Sequence, residues 1–195
     1  MPSSASTRSR SPSRPIPLWV LLAREDHPRA CTGRRLLAHN LARPFRGSER
    51  PVAPPIVLDP HANVPLSRDD RPRAARGGIL VVDCSWNRLR DRGRLPGDGR
   101  PLGPARRLPL LFATNPQHFG RVTELTTAEA FAAALFLLGD RALARALLDG
   151  FAGGTAFFKV NGALLARYAE AGPPEGVLAA ESAAFSDSGR RQTAG

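Results

Sequence analysis

Residues 78–86 read Gly-Ile-Leu-Val-Val-Asp-Cys-Ser-Trp, and this stretch constrains the fold more than any other. Four large aliphatic residues in a row, three of them β-branched, predict a strand buried on both faces. Such strands belong to α/β sheets. The run stops abruptly at an acid, a small polar pair and a tryptophan. Ligands of open α/β sheets sit beyond the carboxyl ends of the strands. There Asp83 would supply a charge and Trp86 a flat stacking surface. The plainer alternative is a strand that simply ends, with Asp83 capping the next turn.

Elements on either side extend this reading. Residues 16–23 (Ile-Pro-Leu-Trp-Val-Leu-Leu-Ala) predict a first strand. They follow arginine-rich sequence but are too short for a signal peptide and run straight into Arg24-Glu25-Asp26. Thr32-Gly33 predicts a tight backbone site at a helix start, with Leu36, Leu37 and Leu41 as the apolar stripe. A short strand over 56–58, a loop over 63–70, a long basic loop over 87–107 and a strand over 108–113 complete this half. Thr126 followed three residues later by Glu129 is a capping signature. It predicts a helix through Leu138, then helices over 141–148, 161–171 and 175–185. Strands therefore give way to helices near residue 115. Residues 1–15 (Pro, Ser and Arg) cannot build a core and predict a disordered basic tail. An α/β domain over 16–112 and a helical domain over 113–195 follow.

The charge changes at the same place. Residues 1–107 carry 21 Arg against 9 acids, a net of +12, and residues 108–195 carry 7 basic against 8 acidic residues, a net of −1. All of the surplus lies on the first half, which suits a protein that lays one face on a polyanion. Arg29, Arg34, Arg35 and Arg88 are the candidate RNA contacts. Two cysteines make neither a disulfide framework nor a metal cluster, and no apolar run approaches the length of a membrane span. A soluble, cytoplasmic, metal-free monomer is expected.

Four separated motifs then converge on one family. They are Asp26 with Cys31-Thr32-Gly33-Arg34-Arg35-Leu36; Val82-Asp83-Cys84-Ser85-Trp86; and Arg107-Leu108-Pro109 through Asn115 to Phe119-Gly120-Arg121. The fourth runs from Ala128-Glu129-Ala130 through Phe151, Gly154, Phe157 and Asn161 to Tyr168. In this order they resemble the small-subunit ribosomal RNA aminocarboxypropyltransferases, ribosome biogenesis enzymes of archaea and eukaryotes. The resemblance implies a SPOUT-like knotted α/β half followed by an all-helical half. It implies S-adenosylmethionine as the donor of a 3-amino-3-carboxypropyl group to N3 of a pseudouridine-type base. The partner it implies is small-subunit rRNA or the pre-ribosomal particle.

Carried over by residue, the resemblance assigns Thr32 and Thr127 to the cofactor carboxylate. Val82 falls to the ribose, Leu108 and Thr123 to the adenine edge, and Leu58, Pro60 and Trp86 to the adenine walls. Three positions depart from the family pattern: Ala152 where a Trp is frequent, and Val122 and Thr123 where a proline and an aromatic follow Gly120-Arg121.

The chemistry asks for two things. The methyl group must be shielded and the chain carbon presented in line, a task for positioned side chains such as Trp86. The uridine N3 proton must also leave. Asp83 is the nearest acid and could serve as general base or as anchor of the cofactor's amino group. His61 and His118 are the other candidates for proton transfer, with a loop histidine as the plain alternative. Cys84 reads as a packed small residue. The competing functions are a non-catalytic rRNA-binding assembly factor and an RNA methyltransferase on the same fold.

Overall fold

The computed structural model describes residues 15–23, 31–46, 51–95 and 101–191, with side chains to 186. Five parallel strands form one sheet in the order β2-β1-β4-β3-β5. The buried run at its centre is β4 (Ile79–Asp83), whose first four residues are buried. It pairs with β1 (Leu18–Leu22) along its whole length and with β3 (Ile56–Leu58) on its other edge. Two-residue strands, β2 (Arg43–Pro44) and β5 (Ala105–Arg106), close the edges. A strand with parallel neighbours on both sides has every ladder group satisfied, which is why it can be apolar throughout.

Helices cover the sheet. α1 (Thr32–Ala38), α2 (Arg71–Gly77) and α3 (Trp86–Arg92) are single short helices between strands. After β5 the named elements are all helical: α4 (Thr127–Leu137), α5 (Arg141–Leu148), α6 (Gly154–Glu170) and α7 (Pro174–Arg191). α4 is apolar on every face, with Phe131 to Leu138 all at most 4 % exposed. Such a helix has to be central. It packs against α1, β4, α5 and α6, so one hydrophobic cluster runs from Ile16 to Val177.

The capping signature appears as read: the Thr126 side chain accepts the Glu129 N–H, and Glu129 reaches back to Thr126. The helix over 141–148 lies where its spacing predicts. Three readings need correction. Residues 87–107 are not one loop, because α3 occupies the start and β5 the end. Arg88 therefore sits exposed on a helix. The turn read over 63–70 continues through a 3-10 turn into α2, whose first turn contains Pro72. A proline there loses nothing, since its N–H would have had no partner.

The third correction concerns residues 108–113, which are extended but form no strand. Phe112 makes an isolated bridge to Val122, backbone groups of 120–123 pair with Leu111 and Ala113, and helix side chains supply further partners. Leu110 N donates to Glu181 at 2.6 Å, Tyr168 Oη donates to the Leu110 carbonyl at 3.2 Å, and Asn161 bonds both N and O of Phe112 at 2.8 and 2.9 Å. Side chains from α6 and α7 thus stand in for a neighbouring strand, satisfying groups that burial would otherwise leave orphaned.

Candidate active site

Where β4 ends, three segments meet on one carboxylate. Asp83 Oδ2 accepts from the Cys31 thiol at 2.7 Å and from Gly33 N at 3.1 Å; Oδ1 accepts from Thr127 Oγ1 at 2.5 Å. The central strand, the start of α1 and the start of α4 are tied together at this point. Gly33 has to be glycine here, because a Cβ would lie 2.5 Å from Asp83 Oδ2. Cys31 caps α1, its sulfur accepting from Arg34 N at 3.4 Å. Burial and the hydrogen bond to Asp83 push the Cys31 thiol up to about 11, against the Arg34 N–H that pulls it down. It stays a neutral thiol, able to donate.

Two adjoining cavities open on this knot of bonds. The first is mainly apolar, walled by Leu58, Pro60, Val82, Trp86, Leu89 and Leu108, with Thr123 and Thr127 at its edge. The second is polar, bounded by Thr32, Asp83, Ser85, Asn87, Gln117 and His118. Cys84, Trp86, Leu125 and Thr127 line both. Trp86 is fixed between them by its indole N–H, which donates to the Leu125 carbonyl at 3.0 Å. The pair can accept one elongated ligand with a flat apolar end and a charged, hydrogen-bonding end.

The segment 107–110 forms one wall of the apolar cavity and is held from behind. Arg107 makes a two-pronged pair with Glu181, at 2.9 and 2.5 Å, on a buried face of α7. That partner raises Arg107 further above its ordinary range, against the opposing effect of burial. At the other side, Thr123 adopts φ 70°, a conformation costly for a β-branched residue. It is held by Thr123 N donating to Leu111 O and by Leu125 N donating to Thr123 O. Strain of this kind persists where surrounding bonds impose it, often beside a ligand.

A model of the family described as "Ribosome biogenesis protein, C-terminal" matches residues 56–185. The 16S rRNA aminocarboxypropyltransferase of Methanosarcina mazei is 37 % identical over 164 residues, 84 % of this chain and 91 % of that protein. The 18S rRNA aminocarboxypropyltransferase of Schizosaccharomyces pombe is 36 % identical over 80 % of this chain and 52 % of its own length. Among solved structures, the SAM-dependent rRNA:acp-transferase Tsr3 from Vulcanisaeta distributa superposes with a TM-score of 0.73. It is 34 % identical, covering 81 % of this chain and 85 % of that one. The chain belongs to the rRNA aminocarboxypropyltransferase family.

For this aminocarboxypropyltransferase, the nine residues proposed from sequence for the cofactor fall on the two cavities. Leu58, Pro60, Val82, Trp86, Leu108, Thr123 and Thr127 line the apolar one, and Thr32 and Asp83 the polar one. The arginines divide differently. Arg34 is exposed on α1. Arg35 is already engaged, its guanidinium donating to Gly150 O at 3.1 Å and lying 4.6 Å over the Phe151 ring. Arg29 lies outside the described residues. His61 is exposed on a turn closed by its own N–H to Asp59 and lines neither cavity.

Sequence reasoning missed the supports. Cys31, Glu181, Tyr168 and Asn161 act across 49 to 74 residues of chain, a separation at which no local pattern announces a contact. The signal available was chemical. Acid, amide and phenol groups recurring on the apolar faces of α6 and α7 have to be satisfied by something. Among the described residues, no cluster of His, Cys, Asp or Glu is arranged to hold a metal.

Proposed function

We propose that this enzyme transfers the 3-amino-3-carboxypropyl group of S-adenosylmethionine to N3 of a pseudouridine-type base in small-subunit rRNA. The observation that carries the reading is the paired cavity: apolar walls on one side of Trp86 and Thr32, Asp83 and Thr127 on the other. When bound, S-adenosylmethionine supplies a sulfonium that activates its chain carbon toward displacement. The apolar walls and the backbone at Val82, Leu108 and Thr123 would hold the nucleoside end. Thr32 and Thr127 would hold the carboxylate, Thr127 from the N-terminal turn of α4, where the helix dipole favours an anion.

Asp83 suits an anchor better than a base. A carboxylate offers about four lone-pair positions, and three are taken by Cys31, Gly33 and Thr127. The remaining one can accept from an ammonium group. Trp86 stands at the junction of the cavities, positioned to shield a methyl group from the acceptor and to stabilise a cation at its face. We place the enzyme on small-subunit rRNA in the cytoplasm, as a monomer of SPOUT-like knotted topology whose helical half completes the cofactor site. The parallel sheet and the charge asymmetry of the chain support that reading.

Two expectations follow for binding. Thr32→Asp sets a second carboxylate against that of the cofactor, and affinity should fall tenfold or more, about 1.4 kcal/mol, by calorimetry. Arg34→Ala should lower the slope of log affinity for rRNA against log salt by about one, leaving cofactor affinity intact. An unchanged slope would move the RNA to another face.

The reading as a whole is tested with S-adenosylmethionine labelled separately on methyl and chain carbons, incubated with small-subunit rRNA that carries the pseudouridine-type base but lacks the aminocarboxypropyl group. Label in RNA from the chain carbon alone supports it. Label from the methyl group makes the enzyme a methyltransferase, and no label in RNA leaves a binding factor.

A further inference from the structure

The polar cavity has a second titratable wall that the binding scheme does not use. His118 lines it together with Thr32 and Asp83. The ring's Nδ1 is buried and lies 2.5 Å from Glu124 Oε2. A proton on Nδ1 would lie between this nitrogen and the carboxylate, and the ring is taken below in that form. A neutral ring of that form keeps Nε2 as its acceptor.

Everything around this pair is fixed. The segment 111–123 folds back on itself through Ala113 N to Arg121 O, Gly120 N to Ala113 O and Thr123 N to Leu111 O. His118 N donates to the Asn115 side chain at 3.0 Å, and Asn115 donates in turn to buried Glu129 at 2.9 Å. Glu124 is clamped from two directions, by Arg121 of its own loop at 3.0 Å and by Arg90 of α3 at 2.5 Å. Burial would raise the Glu124 carboxyl, but these arginines hold it below its ordinary range. It therefore stays charged and keeps the imidazole in one tautomer. A carboxylate paired with a histidine that lines the reaction cavity is a general-base arrangement.

We propose that His118 is the proton acceptor of the transfer reaction, with Glu124 as its positioning residue. The proposal rests on the reading that an imide N–H of the RNA base is the nucleophile. His118 Nε2 takes that proton. The electron pair left on nitrogen forms the bond to the chain carbon, and the carbon–sulfur pair departs with methylthioadenosine, now a neutral thioether. The positive charge passes from sulfonium to imidazolium, beside the Glu124 carboxylate. Asp83 is the charged group that lines the same cavity as His118; Glu124, with Arg121 and Arg90 paired to it, is the charged group beside the ring.

The test compares wild type, His118→Ala, His118→Gln and Glu124→Gln under single-turnover conditions with saturating S-adenosylmethionine and rRNA. Transfer should fall about a hundredfold in both His118 variants and about tenfold in Glu124→Gln. Cofactor and RNA affinities should stay at wild-type values, which also reports that the fold is kept. Added imidazole should restore part of the rate to His118→Ala. Raising the pH should narrow its deficit, because the imide then ionises unaided. Nitrogen-15 NMR of the free protein should find neutral His118 with its proton on Nδ1.

Transfer by His118→Ala within about twofold of wild type, or an Nε2–H tautomer, overturns the proposal. Failure of wild type itself to transfer the chain carbon sinks the reading of the reaction, and the proposal with it. Loss confined to the His118 variants supports both.

Discussion

Asp83→Ala should lower S-adenosylmethionine affinity by about a hundredfold, or about 2.7 kcal/mol. One substitution strands the Cys31 thiol, the Gly33 N–H and the Thr127 hydroxyl together. Each part-buried donor left without an acceptor costs about 1–3 kcal/mol unless water reaches it. Their segments carry the carboxylate contacts, so the loss falls on the binding geometry as well as on the missing charge. Asp83→Asn separates the two roles weighed from sequence. Asparagine keeps one acceptor oxygen for Gly33 and Cys31 and turns its NH2 toward Thr127, whose hydroxyl can rotate to accept. An anchor predicts weakened cofactor binding with a nearly normal single-turnover rate at saturation. A base predicts normal binding and a rate lowered by 10²-fold or more. Calorimetry and single-turnover kinetics on the one variant distinguish them.

The largest effect on stability should come from Glu129→Ala, a loss of about 4 kcal/mol or more. The Glu129 side chain is nearly fully buried and accepts from Thr114 N, Asn115 N, Asn115 Nδ2, Thr126 N and Thr126 Oγ1. The carboxylate joins the start of α4 to the turn after 113 and, through Asn115, to the His118 loop. For a chain of this size the melting temperature should fall by roughly 10 °C or more. Glu129→Gln should recover only a fraction, because its NH2 group meets donors where an oxygen stood. Urea melts of the three proteins measure this directly. A loss below about 1 kcal/mol would mean that water replaces the carboxylate.

Glu129 also shows how far the sequence could be read. Its partnership with Thr126 is local, three residues apart at a helix start, and was legible. Its bonds to Thr114 and Asn115 depend on where a distant turn packs, and were not. The same division runs through the site. Residues 79–83 announced a buried strand and Asp83 its functional end, because periodicity and an abrupt polar stop are local facts. That Asp83 would receive a thiol from Cys31, 52 residues away, could not be read from either.

The misread segments have physical causes. Residues 108–113 carry the apolar, extended character of a strand, yet their partners are Asn161, Tyr168 and Glu181 side chains instead of a neighbouring strand. In α3 only Leu89 is buried, so arginine and glycine composition outweighed a single apolar anchor. The polar group at the end of the 63–70 loop was read as a turn, although it leads through a 3-10 turn into α2, where Pro72 starts the helix. The family motifs carried the residues proposed for the cofactor onto the two cavities because they mark strand ends, helix starts and the loops between them. The arginines were harder to read: both Arg34 and Arg35 are exposed, and charge alone did not show that Arg35 contacts Gly150 and Phe151.

The central claim is that the paired cavity presents the chain carbon of S-adenosylmethionine, and not its methyl, to an RNA base. The most direct measurement is the co-product released by wild type from unlabelled S-adenosylmethionine and small-subunit rRNA that carries the pseudouridine-type base without the aminocarboxypropyl group, separated by chromatography. Methylthioadenosine should appear in one-to-one proportion with modified base, with no S-adenosylhomocysteine above the RNA-free control. S-adenosylhomocysteine in proportion to modified base would contradict the account, because the methyl would then be the carbon that the site exposes.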